Sequence, residues 1–155
     1  MSEFKNWVVS IALFAFLTHY VYFGAYPFSL TTIFLSLVIA LVIYGLHEFA
    51  HWLVARLLGY ESSLLISPTL AFLTTALTLT TGFFFWFATA VYIPNRVNKR
   101  DYGIIALAGP LTNILLGLFI YPLNSAIAGI SLSVAFFNLL PFDPLDGAKV
   151  LRWNK

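Results

Sequence analysis

Apolar residues run almost unbroken along this chain, and the places where the run stops outline its elements. Trp7 to Tyr26 is a first stretch of about 20 residues, the length a helix needs to cross a bilayer. A second runs from about 30 to 58 and a third, YGIIALAGPLTNILLGLFIY, over about 102–121. A fourth, LNSAIAGISLSVAFFNLL at about 123–140, is just long enough to cross. Short uncharged turns at 24–29 and 121–124, punctuated by Pro27 and Pro122, join the first stretch to the second and the third to the fourth.

Residues 62–93 are apolar but ambiguous. One solution is a helix over about 64–82 and an extended return through 83–93, since 1.5 Å per helical and about 3.3 Å per extended residue make the lengths compatible. The aromatic and β-branched content of Phe83 to Ile93 favours a strand. The other solution is an in-plane or re-entrant element, tolerated at membrane depth only against protein or a water-filled cavity. The pattern therefore predicts an α-helical polytopic membrane protein of about four to five transmembrane helices. A short strand or re-entrant element precedes the third stretch.

Composition agrees. The chain is 61% hydrophobic and 9% charged, with a mean hydropathy of +0.91. Soluble chains carry about 25% charged residues. At 155 residues there is room for a single membrane-embedded domain over 1–155, with a core of about 30–155 and an accessory first helix at 7–26. No appended soluble or regulatory domain is expected. The first stretch has no Ala-x-Ala cleavage site and reads as a retained span, not a signal peptide. A net charge of only +2 gives no reason to expect nucleic acid as a partner.

The basic residues set the topology. All eight fall at Lys5, Arg56, Arg96, Lys99, Arg100, Lys149, Arg152 and Lys155. With the four stretches paired as two hairpins, all eight lie on one side, which the positive-inside rule makes the cytoplasm. Both termini are then cytoplasmic.

Within the second stretch lies His47-Glu48-Phe49-Ala50-His51, the HExxH pattern. On a helix His47 and His51 stand one turn apart on one face, which suits two imidazoles on one metal. Glu48 projects beside them, where it could activate a metal-bound water. Titratable groups are costly in a bilayer and want partners. The chain holds three His and three Glu, so the pattern uses most of its imidazoles. Cysteine is absent, and zinc would have to be held by His and carboxylate. The three Asp are Asp101, Asp143 and Asp146. The orientation argument brings Asp146 to the depth of the His pair. Pro141 and Pro144 exclude a regular helix before it and would present it from a rigid loop.

HEFAH on a membrane helix, AGPLTN at 108–113 and NLLPFDPLDG at 138–147 together resemble the site-2 protease family, intramembrane zinc metalloproteases. The resemblance covers about 40–155. ATAVYIPN at 88–95 also resembles the strand preceding the AGP helix in archaeal-type relatives, although Phe87-Ala88-Thr89-Ala90 stands where relatives often carry Pro-Gly-Ala. The resemblance implies Zn2+ as cofactor, with His47, His51 and Asp146 as metal ligands and Glu48 as the catalytic glutamate. It implies site-lining or substrate-binding roles for Asn138 and Asn113. It also implies hydrolysis of peptide bonds in transmembrane segments of protein substrates.

Simpler readings hold elsewhere. Gly109-Pro110 reads as helix packing and a kink, and His19 as an ordinary membrane-helix polar residue. Threonines 74, 75, 78, 80 and 81 read as packing and back-bonding to their own helix. Phe83, Phe84, Phe85, Trp86 and Tyr92 read as interfacial or lipid-facing. A catalytically silent relative that binds transmembrane segments as an adaptor is the alternative function, but it has no need of Glu48. A metal or proton carrier would want more intramembrane carboxylates along a path.

Overall fold

Local chemistry sets the helix ends in the computed structural model, which describes residues 2–24, 29–94 and 96–153. The turn expected around Pro27, together with Asn95 and Lys155, lies outside the described residues. Helix α1 is Glu3–Phe23, with Glu3 in its first turn, where a carboxylate complements the exposed N–H groups. Helix α2, Leu30–Ile39, opens with a capping box between Ser29 and Thr32. A π-helical turn, Ala40–Gly45, carries the chain into α3, Leu46–Leu57. That helical run ends where Gly59 takes a φ of 85°, the left-handed conformation that closes helices.

Among the described residues, three helices are long and apolar enough to cross a membrane: Glu3–Phe23, Leu30–Leu57 and Lys99–Ile120. Helices α4, Pro68–Thr81, and α6, Ser125–Asn138, have 14 residues each. They rise about 21 Å, short of a hydrocarbon core of about 30 Å. The expected helix at 64–82 is shorter because Ser63–Ile66 pairs as strand β1 and Ser67 then caps α4, with Pro68 in its first turn. The stretch expected at 123–140 is trimmed by the Asn124 cap and the turn after Asn138.

The described chain forms two compact units, Met1–Gly45 with Leu64–Ala90, and Leu46–Ser63 with Val91–Lys155. In the first, α1 packs on α2, on the π-helical turn and on α4. Its core is aromatic. The Phe14 ring stacks on Tyr44 at 5.1 Å and meets Phe84 and Trp86 edge-on at 4.7 and 5.1 Å. Phe84 and Trp86 are thus buried core residues, not the lipid-facing ones expected from sequence; Phe83 and Tyr92 are exposed as expected.

The extended return is real but mostly unpaired by strands. Only Thr89–Tyr92, strand β2, forms the two-stranded sheet with β1. Before it, Thr74 and Thr78 of α4 take the place of a partner strand: Phe87 N donates to Thr74 Oγ1 and Phe85 N to Thr78 Oγ1, both at 3.2 Å. Thr75, Thr80 and Thr81 back-bond to their own helix, as expected, whereas Thr74 and Thr78 serve the neighbouring segment. Non-helical backbone at membrane depth needs such internal partners. At β1, Asn6 Nδ2 donates to Leu64 O at 2.8 Å and Leu64 N donates to Glu3 Oε1 at 3.4 Å, so α1 occupies both of that residue's backbone groups. His19 is buried, with Nδ1 3.4 Å from Ser36 Oγ.

In the second unit helix α5, Lys99–Ile120, is capped by Asn98 and packs against α3, α6 and α7, the last being Asp146–Trp153. Missing side chains let α5 approach its neighbours. A Cβ at Gly117 would lie 2.6 Å from Leu132 Cγ on α6, and one at Gly103 would lie 2.9 Å from Trp153 Cγ on α7.

Candidate metal centre

One helix and the start of another bring three candidate ligand atoms together. His47 and His51 stand one turn apart on α3, and Asp146 is the first residue of α7. His47 Nε2 and His51 Nε2 are 3.1 Å apart. Asp146 Oδ2 lies 3.6 Å from the first and 3.1 Å from the second. All three residues are buried. Four-coordinate zinc with bonds of 2.0–2.1 Å sets its ligands about 3.3 Å apart, and the triangle has that size. Three lone-pair atoms this close repel one another unless a cation or a proton lies between them. The donor set, two imidazoles and one carboxylate, is one that zinc takes in catalytic sites.

Asp146 does not come from a loop, as the prolines suggested. Residues 141–145 make the turn, and α7 begins at Asp146 itself, so the carboxylate sits in the first helical turn where the exposed N–H groups favour it. Gly147 makes that start possible, because a Cβ there would collide with the Leu139 and Leu140 carbonyl oxygens. Burial pushes the Asp146 carboxyl up. With the imidazoles protonated, as in the ion-free site, His51, His47 and Lys149 outweigh burial and hold it well below the usual carboxylate range. It is therefore an anion at neutral pH, as a metal ligand must be.

Helix α5 supplies the back of the site from residues spaced by four. Ile105 O accepts a hydrogen bond from His51 Nδ1 at 2.6 Å. A carbonyl can only accept, so Nδ1 carries the proton and Nε2 presents its lone pair to the site. One turn on, a Cβ at Gly109 would collide with His51 Nε2 and lie 2.7 Å from His47 Nε2. Gly109 therefore leaves the space in front of both imidazoles. This is a function beyond the helix packing expected of it. Another turn on, Asn113 is fully buried, with Nδ2 3.1 Å from His47 Nδ1, while its Oδ1 has no partner. Turning that amide over puts Oδ1 on a protonated His47 Nδ1 and partners the orphaned oxygen. It also leaves the His47 Nε2 lone pair facing the site. Asn113→Leu is accordingly expected to weaken zinc binding by about 10-fold, in line with loss of an outer partner to a ligand. Competition with a chelator measures this, and an unchanged affinity would mean that Asn113 does not hold His47.

Glu48 is buried beside His47 on α3. Asn138 is buried at the end of α6, and its Nδ2 donates to Val134 O of its own helix at 2.9 Å. Sequence reasoning brought out the four residues of the two motifs but missed Gly109 and Ile105. The fourfold spacing of 105, 109 and 113 matches that of 47 and 51, and this signal could have paired the two helices. The Ile105 contact is through a carbonyl, which no side chain betrays.

The model of peptidase family M50 matches residues 34–127. A Methanocaldococcus jannaschii protein named "putative zinc metalloprotease" is 35% identical over 145 residues, covering 84% of this chain and 76% of that protein. No solved structure matches the chain.

Proposed function

The chain belongs to peptidase family M50, the site-2 protease family, and from that premise we propose that it is an intramembrane zinc endopeptidase cutting transmembrane segments of other proteins. The observation that carries this reading is the convergence of His47, His51 and Asp146, with Glu48 buried beside them, on a helical run able to cross a membrane. His47 Nε2, His51 Nε2 and Asp146 Oδ2 would hold the ion. Zinc bound there supplies Lewis acidity, which activates water as a nucleophile and stabilises negative charge developing on the scissile carbonyl. The Glu48 carboxylate takes the proton of the attacking water and delivers it to the leaving nitrogen. Ile105 O and Asn113 fix the imidazoles so that neither must reorient as charge develops. Asn138 is the candidate donor to the oxyanion, for which Nδ2 must share or release its bond to Val134 O.

A helical substrate shields its own peptide bonds and must unwind. The extended 83–93 segment with β2 offers a strand against which an unwound segment could pair. Because Glu3 and Asn6 occupy the backbone of Leu64 in β1, β2 is the favoured side. The distribution of basic residues favours a reading in which this chemistry lies toward the cytoplasm, with both termini there. Water then reaches the zinc from the cytoplasmic side.

Metal removal tests the reading. Detergent-purified protein is expected to carry about one zinc per chain, and binding is expected to be lost on chelation and regained on adding zinc. Cleavage of a panel of single-span substrates should follow the zinc content. A chain without zinc, or cleavage indifferent to chelation, would remove the basis of this function.

A further inference from the structure

We propose that Lys149 is a positioning residue of this centre, holding Asp146 to ligation through one oxygen. The inference rests on the metal reading above. A carboxylate has two oxygens, and zinc accepts either one or both. Here they are divided. Oδ2 faces the two imidazoles, at 3.1 and 3.6 Å, while Oδ1 is 2.9 Å from Lys149 Nζ. If Oδ1 also turned to the metal, it would take the position a hydrolytic site leaves open for water. An ammonium on Oδ1 opposes that turn.

Lys149 is not an ordinary surface pair. Exposed ion pairs one turn apart on a helix contribute little to stability. Arg152 on α7 and Asp143 in the turn before it form an exposed ion pair, with side chains 59% and 62% exposed. The Lys149 side chain is 19% exposed and that of Asp146 10%. Its Nζ also lies 6.0 Å from the centre of the Tyr102 ring on α5, at the outer edge of cation–ring contact. Each ligand thus has its own holder: Ile105 O for His51, Asn113 for His47, Lys149 for Asp146.

The test uses the full chain in detergent, loaded with Co2+ as a spectroscopic probe and with Zn2+ for affinity. Lys149→Met keeps the length of the stem and removes the charge. It is expected to lose about 10-fold in zinc affinity by chelator competition. Its cobalt absorption should weaken and shift toward a five-coordinate form. Lys149→Arg should restore both. A Lys149→Met protein with wild-type spectrum and affinity would overturn the proposal. An Asp146→His background separates positioning from folding, because that ligand offers the metal a single donor atom at a time. There Lys149→Met should cost nothing, and an equal cost would show that the lysine acts on the fold rather than through Asp146. If the wild type binds neither metal, the metal reading itself fails, a result distinct from a wild type that binds and a variant that matches it.

Discussion

Glu48→Gln is expected to bind zinc as the wild type does and to cleave single-span substrates at least about 100-fold more slowly, since general acid–base catalysis contributes 10²- to 10⁴-fold. Glutamine keeps the shape and the hydrogen-bonding capacity of the buried side chain but cannot accept a proton. Glu48 lies beside His47 on α3 and is not one of the three converging ligand residues, so its exchange should leave the metal in place. The measurement pairs zinc per chain with cleavage rate on the same preparation. Retained cleavage would refute the role of base. Loss of zinc along with activity would make Glu48 part of the binding set instead.

Gly109→Ala sets two effects against each other. Alanine is the better helix former by about 1 kcal/mol, so a glycine in the middle of α5 that served only packing would tolerate or gain from the change. The added methyl, however, falls on His51 Nε2 and 2.7 Å from His47 Nε2, the atoms that would face the metal. Neither imidazole can yield, because Ile105 O and Asn113 hold them from behind. Zinc affinity is therefore expected to fall by more than the roughly 10–100-fold typical of removing an outer partner. Cleavage should vanish with it, and because the methyl overpacks the site with or without an ion, the metal-free protein should also unfold at a lower temperature than metal-free wild type. Wild-type zinc affinity in this variant would show that the space before the histidines is not where the ion sits.

The family match takes in the helix of the HExxH pattern, where sequence reasoning was strongest, and the reason for that strength is physical. A bilayer makes each titratable residue expensive, so the few that occur inside apolar runs stand out. His47, Glu48 and His51 could be read from their spacing alone, since a helix puts residues four apart on one face. Asp146 could be placed at their depth because positive charges mark one side of the membrane. The small residues around the site carried no such signal. Gly103, Gly109, Gly117 and Gly147 look alike in sequence. They meet Trp153, two imidazoles, Leu132 and two backbone carbonyls respectively.

The chain by itself determined the class of molecule, the apolar helical runs and the residues able to bind a metal. These follow from local composition, helical period and the cost of charge in lipid, which need no partner to be judged. Tertiary structure alone decided how many runs become membrane-length helices. Strand β1 and the Ser67 cap shorten α4, while Asn124 and the turn after Asn138 shorten α6. It also decided that Phe84 and Trp86 face a core, because α4 turns Thr74 and Thr78 toward the extended segment and fixes which side chains point inward. It decided, finally, what stands behind each ligand: a carbonyl, an amide and an ammonium. Those contacts join residues 54, 66 and 3 positions apart. The first two exist only once α5 has packed on α3, and the third only once α7 begins at Asp146.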